Sequence, residues 1–161
     1  MSVITKIDLK ARFYERGSGD LGTPMKDHVL DLLIELASGT SADQADLVWS
    51  DQRSLNSASE DLDIRGSLAD AFGATLNMVE VVAVIIHNTN TTPGQYIDVF
   101  GDANGVAGWQ AMRVGPKGLF VWASPVDGAA VTAGTGDIIQ VDSSGSGANV
   151  TYQIVVLGRS A

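Results

Sequence analysis

Cysteine is absent from the 161 residues, and with it go disulfides, thiolate nucleophiles and every Cys-based zinc centre. Histidine is scarce as well. His28 and His87 are the two present and no G-x-S-x-G elbow occurs, so a nucleophile oriented by an imidazole base has little to draw on. The longest apolar stretch, residues 76–88 (LNMVEVVAVIIHN), falls well short of the ~18 apolar residues that a membrane-spanning helix needs. Cations are few: 10 Lys and Arg stand against 19 Asp and Glu, a net charge of −9, and no basic stripe suited to a phosphate backbone runs through the body of the chain. The expectation is a chain whose partners include neither a membrane nor nucleic acid. The opening MSVITKIDLK lacks the basic and then apolar regions of a secretory signal, which together with the missing cysteines predicts synthesis in the cytoplasm.

What is present is apolar and β-forming. Hydrophobic residues make up 45% of the chain, enough for one sizeable core at this length. From Val79 to Ile86 a single charge, Glu80, interrupts Val, Ala and Ile, and such β-branched runs suit a buried strand. Residues 87–94 (HNTNTTPG) then close it with turn chemistry. Further on, turn signals recur at Pro93-Gly94, Gly101-Asp102, Asn104-Gly105, Gly115-Pro116, Asp127-Gly128, Gly134 to Gly136 and Ser143 to Gly147. Between them lie strand candidates at Gln95–Phe100, Gly108–Val114, Gly118–Ala123, Asp137–Val141 and Val150–Leu157. About nine or ten short strands in all predict an antiparallel β-sandwich, jelly-roll-like, with Val81, Ala83, Ile85, Phe120, Ile139, Ile154 and Val156 in its core.

The N-terminal part stands apart from this pattern. Ile7, Leu9, Ala11 and Phe13 alternate with Lys6, Asp8, Lys10 and Arg12, a period of two that reads as a half-buried strand or an extended arm. ERGSGDLG, residues 15–22, follows as a glycine-rich hinge, so residues 1–16 are expected to pair either in their own sheet or in a neighbour's, and residues 17–161 to form one domain. Residues 1–16 carry a net charge of +2, residues 17–80 one of −9 and the remainder −2, which makes the arm the one cationic segment. From Thr23 to Gly39 two patterns compete. Thr23-Pro24 and Gly39 bracket a helix that the local pattern alone slightly prefers, whereas Leu30, Leu32, Ile34 and Leu36 alternate as a strand requires; the all-β surroundings and the resemblance below shift the reading to strand without deciding it. Residues 45–55 and 60–64 read as two short polar-faced strands, and Leu68, Ala71 and Phe72 as a helical turn that plugs the sandwich.

Each chemical constellation has a plainer structural reading. Glu60-Asp61-x-Asp63 is the densest acidic group, yet in a strand Asp61 and Asp63 share one face and Glu60 the other, as at a solvated edge. The loops at Gly134 and Ser143 lead into strand-like residues rather than the helix N-terminus of a phosphate cradle. His87 ends a strand. The expectation is a protein without enzymatic activity, cofactor or metal. Among the aromatics, Trp49, Trp109, Trp122, Tyr96 and Tyr152 could line a sugar-binding face, since aromatic planes stack on sugar rings; Trp122, inside the apolar run LFVWA, reads as core, and Trp109, beside loops, and Tyr96 are the candidate glycan contacts.

Two passages carry a resemblance. Ala45 to Thr75 (ADLVWSDQRSLNSASEDLDIRGSLADAFGAT) and Ala130 to Ala161 (AVTAGTGDIIQVDSSGSGANVTYQIVVLGRSA) look like parts of small virion proteins of tailed bacteriophages, and the likeness covers roughly residues 38–161. It implies a structural protein of the phage particle, of the head-decoration, head-fibre or tail-associated type. It further implies synthesis in the host cytoplasm, residence in the virion, homo-oligomers that are often trimers, and contacts with other virion proteins such as the major capsid protein. Apart from the resemblance, the arm's own alternation, its charge of +2 and the hinge that follows make Ile7, Leu9 and Phe13 candidate partner contacts, buried if the arm adds to a neighbouring subunit rather than to its own sheet. The runner-up is a tail-associated or receptor-binding carbohydrate-binding module.

Overall fold

The computed structural model of the chain describes residues 3–18 and 20–161. Its central strand is β8 (Glu80–Asn88), the run whose branched side chains pack on a pleated surface from both sides. On one side β8 pairs with β14 (Asn149–Arg159), which in turn pairs with β4 (Leu47–Asn56); on the other it pairs with β11 (Leu119–Ala123) and the short β12 (Ala129–Ala130). A second antiparallel sheet runs in the order β10 (Met112–Val114), β9 (Ile97–Val99), β13 (Ile138–Asp142), β5 (Ser59–Asp63). The main core gathers Val84, Ile86, Ile154 and Val156 from the first sheet with Leu62, Ile97, Val99, Ile139 and Val141 from the second. The molecule is thus nearly all β, built of several antiparallel sheets, with no α-helix among the described residues.

A bulge in β8 decides which of its side chains reach that core. The register runs from Tyr152 opposite Asn88 to Leu157 opposite Ala83, and then Gly158 faces Val81, so Val82 is an extra residue. Strict alternation from Val81 predicts that Ala83 and Ile85 share its side. The inserted residue reverses the later side chains: Val81, Val84 and Ile86 join the main core, whereas Ala83 is buried in a second cluster on the opposite face and Ile85 is half-buried. Phe120 is half-buried against the main core, and Ile139, Ile154 and Val156 lie within it.

Other expectations are revised by the pairing. Residues 47–56 and 59–63 do form consecutive strands, but each joins a different sheet, β4 through β14 and β5 through β13. No helical plug fills residues 65–75. Instead β6 (Arg65–Ala69) and β7 (Thr75–Asn77) pair as a small hairpin whose turn is organised by Asp70 Oδ1, which accepts from the amides of Phe72 and Ala74 at 2.9 Å each, and Phe72 stands 80% exposed. The side chain that was to seal the sandwich points into solvent.

Of residues 23–38, those from Met25 to Ser38 form strand rather than helix. β1 (Thr5–Arg16) and β2 (Met25–Ser38) pair antiparallel over twelve residues, from Thr5 opposite Leu36 to Arg16 opposite Met25, and β3 (Gln44–Ala45) adds in parallel only at Ala37 and Ser38. The segment that stands off the body is therefore a hairpin spanning residues 5–38, so the first strand pairs in its own sheet; Met1 and Ser2 lie outside the described residues. Its root is fastened where Leu36, Ile7 and Ile34 meet Val82, Ala83, Leu157, Val48 and Ala123. Arg159 fixes the same region, donating to the Gln44 carbonyl at 3.0 Å, to the Pro125 carbonyl and to the carboxylate of Glu80.

Candidate interaction site

Beyond its root the hairpin has nothing to bury against. In β1 no residue is buried, and in β2 only Leu36 is. Residues opposite one another in an antiparallel pair share a face, so the register sorts the side chains into two sets. One face carries Ile7 with Ile34, Leu9 with Leu32, Ala11 with Leu30 and Phe13 with His28. The other carries Lys6 with Glu35, Asp8 with Leu33, Lys10 with Asp31 and Arg12 with Val29; here Lys6 bridges Glu35, and Lys10 reaches Asp31 at 2.7 Å. The first face is apolar along its length. Its inner part, Ile7 and Ile34, packs on the body, while Leu9, Leu30, Leu32 and Phe13 are 38–57% exposed.

This arrangement is energetically incomplete. A two-stranded hairpin alone is marginal in water, because it buries too little apolar surface to offset the entropy of ordering it. Salt bridges on exposed strands add at most about 1 kcal/mol each. The charges of the two strands also cancel, with Lys6, Lys10, Arg12, Arg16 and Lys26 against Asp8, Glu15, Asp27, Asp31 and Glu35. The two strands together thus carry no net charge, and Asp20 in the turn leaves the hairpin at −1. The local +2 of β1 is neutralised by its own partner strand, which removes electrostatic attraction to an acidic partner as its mode of contact and leaves apolar burial.

Of the residues expected to make partner contacts, Leu9 and Phe13 lie on the exposed part of the apolar face and Ile7 is half-buried at its root. Leu30 and Leu32 complete that face and were not among the expected contacts. Their signal was present in the alternation Leu30, Leu32, Ile34, Leu36, but the competing helical pattern of residues 23–39 hid the face to which they belong.

The glycan candidates do not converge. Trp109 is half-buried in an aromatic cluster, its ring centroid 4.7 Å from that of Phe100 and 5.3 Å from that of Trp122. A cleft of about 380 Å³ opens beside it, bordered by Met112 and Phe120. Tyr96 is engaged elsewhere: the Arg113 guanidinium lies 3.6 Å from its ring centroid and is itself held by both carboxylate oxygens of Asp98, at 2.8 and 2.9 Å. One face of the tyrosine is therefore occupied.

The titratable groups are tied into structural contacts. Glu60 turns inward and accepts from Arg53 Nε at 2.6 Å and from the Tyr152 hydroxyl, whereas Asp61 faces out and accepts from Gln140 Nε2 at 3.0 Å. His87 Nδ1 lies 3.4 Å from Gln153 Oε1 at the strand end, and His28 Nε2 is 3.7 Å from Glu15 on the hairpin. Among the described residues no three His, Cys, Asp or Glu side chains are grouped so as to hold a metal ion. No protein-family model, no curated protein and no solved structure matches the chain.

Proposed function

We propose that this chain is a non-enzymatic structural component of a bacteriophage particle, a capsid decoration or head-fibre protein that acts through oligomeric protein–protein contacts. The observation that carries the reading is the hairpin of β1 and β2, in which Leu9, Phe13, Leu30 and Leu32 are exposed on one face while the body already has its own core. The body is read as a jelly-roll-like sandwich that presents this arm. The resemblance of residues 38–161 to small tailed-phage virion proteins supplies the particle, the trimer as the preferred state and the major capsid protein as a further partner. A variant with Leu9, Phe13 and Leu32 all changed to Ser tests it. Light scattering should give a multiple of the 16.8 kDa chain mass for the parent and the single mass for the variant, whose circular dichroism should still show the folded β body. A parent that is monomeric at micromolar concentration rejects the reading. Copies mapped over the head of the assembled particle would support decoration, and copies confined to the tail would overturn it.

A second reading, a tail-associated carbohydrate-binding module, draws on the aromatic cleft beside Trp109, whose 380 Å³ lies within the range of small-ligand sites. Binding on a glycan array that disappears in Trp109→Phe, a change that keeps the packing, would favour it.

A further inference from the structure

The apolar face of the hairpin does not end where the body ends, and the sheet on which it rests has a matching continuation of its own. On the outer face of the five-stranded sheet, Val48, Leu157, Ala83 and Ala123 lie abreast in one row, as the cross-strand registers fix, and the root of the hairpin covers them. The next row is Ser50, Val155, Ile85 and Val121, and the third is Gln52, Gln153, His87 and Leu119. Val155 is still part of the covered cluster. Ile85 is half-buried, and Val121 and Leu119 are 36% and 55% exposed at the β11 edge. One chain therefore carries two unfinished halves of the same contact: a hairpin face with no sheet beneath it, and a strip of sheet with no hairpin above it.

We infer that the free half of the hairpin of one copy lies on the Ile85–Val121–Leu119 strip of a second copy, so that each subunit gives an arm and receives one. The inference rests on the reading of the hairpin as an interaction arm and adds the surface that receives it. The complementarity is already displayed within one chain, since the inner residues of this hairpin face pack on the inner row of this sheet face. Charge opposes the contact only weakly: the two strands cancel and Asp20, in the turn, leaves the hairpin at −1, so laying it on the acidic body of another copy incurs little repulsion at physiological salt. The other residues of the third row, where Gln153 donates to Gln52 and His87 adjoins Gln153, form the wet rim expected around a small apolar patch.

Magnitudes favour this contact over two hairpins packed face to face. Leu9, Leu30, Leu32 and Phe13 at 38–57% exposure present roughly 350 Å² of apolar surface, taking about 200 Å² for each such side chain when free. The strip it meets, Leu119 at 55% and Val121 at 36% exposure with half-buried Ile85, presents roughly 200 Å² on the same scale, so one contact buries roughly 550 Å² over both partners, below the ~1,200 Å² at which stable interfaces begin. Two hairpins meeting face to face bury roughly 700 Å² and leave Leu119 and Val121 exposed. A closed assembly in which every subunit both donates and accepts ties each copy in by two contacts, roughly 1,100 Å², close to the lower end of stable interfaces, and covers both surfaces.

The absence of native cysteine makes the contact directly testable. Leu32→Cys and Val121→Cys are each introduced alone and the two variants are co-expressed, so that a disulfide between them reports only on contact between copies. The expected result is a reducible product of twice the chain mass in the mixture, more abundant than in either variant alone. Val121→Glu should weaken assembly at least tenfold while its circular dichroism spectrum stays that of the parent. Cross-linking confined to Leu32→Cys with itself would mean paired hairpins and overturn the inference. Assembly that is lost with polar substitutions on the hairpin, yet unaffected by Val121→Glu and uncross-linked in the mixture, defeats the receiving surface alone. Assembly that survives polar substitutions on the hairpin defeats the arm reading as well.

Discussion

The Tyr152 hydroxyl donates to Glu60 Oε1 at 2.6 Å across the main core, joining β14 of one sheet to β5 of the other. The tyrosine is fully buried, and Arg53 Nε holds the second carboxylate oxygen at 2.6 Å. Burial first, and then the hydrogen bond to Glu60, push the Tyr152 pKa above its ordinary value. In the folded state the phenol therefore keeps its proton at a pH where an unfolded chain releases it. The stabilisation is complete below pH ~10 and is lost as pH rises beyond it. Melting temperatures measured from pH 8 to 11 should fall at the alkaline end, and Tyr152→Phe should flatten that fall. At neutral pH the same variant should lose about 1–2 kcal/mol, since Glu60 keeps Arg53 as partner.

Arg159 is 3% exposed and binds Glu80 together with the carbonyls of Gln44 and Pro125. Its removal leaves Glu80 a partly buried carboxylate without its cation. Arg159→Met should cost about 3–5 kcal/mol, roughly 10 °C in melting temperature for a chain of this size. Glu80→Gln in the same chain should restore part of the loss, so that the double variant is more stable than the sum of the single effects predicts. Gly128, at φ 62°, approaches the same carboxylate: a Cβ there would stand 2.5 Å from Glu80 Cγ and Cδ. Gly128→Ala should therefore perturb the pair from the opposite side.

The β architecture was legible because branched residues and turn residues alternate along most of the chain, and the five later strand candidates coincide with β9, β10, β11, β13 and β14. What alternation does not encode is an inserted residue. A period of two carries no mark at Val82, where only the partner strand β14 reveals the shift, and so Ile85 was placed in the core that Ile86 occupies. The candidate site was half legible for a related reason. Leu9 and Phe13 alternate cleanly, but β2 interleaves apolar residues on both faces, with Val29 and Leu33 behind Leu30 and Leu32, and a strand apolar on both sides resembles a helix in one dimension.

The bulge gives a paired test. Ile86 is fully buried in the main core, whereas Ile85 is half-buried on the outer face. Ile86→Ala should cost about 2–5 kcal/mol, and Ile85→Ala less than about 1.5 kcal/mol, in denaturant titrations of an assembly-deficient background. The reverse order, with Ile85→Ala the costlier, would mean that β8 alternates without a bulge.

Trp109 offers a separate measurement. Its ring is wedged between Phe100 and Trp122, so Trp109→Ala should cost about 3–5 kcal/mol by removing both aromatic contacts, and Trp109→Phe much less. Tyr96→Phe, which keeps the ring beneath Arg113, should be close to neutral.

The hairpin carries the last expectation, in its amide exchange. Within an isolated subunit the cross-strand hydrogen bonds from Leu9 to Arg16 and from Met25 to Leu32 are flanked by exposed side chains on both faces, and only the root is tied to the body. Opening this outer part separates few buried contacts, so its amides should exchange at a free energy far below that of global unfolding. Residues in β8 and β14, which pair on both edges and pack on both faces, should exchange only with global unfolding. In the parent at concentrations where it is oligomeric, protection of residues 9–16 and 25–32 should rise by at least tenfold over that in the Leu9→Ser, Leu32→Ser variant, alongside the smaller or equal gain that assembly gives β8 and β14 through global unfolding. Equal protection of the hairpin in both proteins would mean that its apolar face is not what assembly covers.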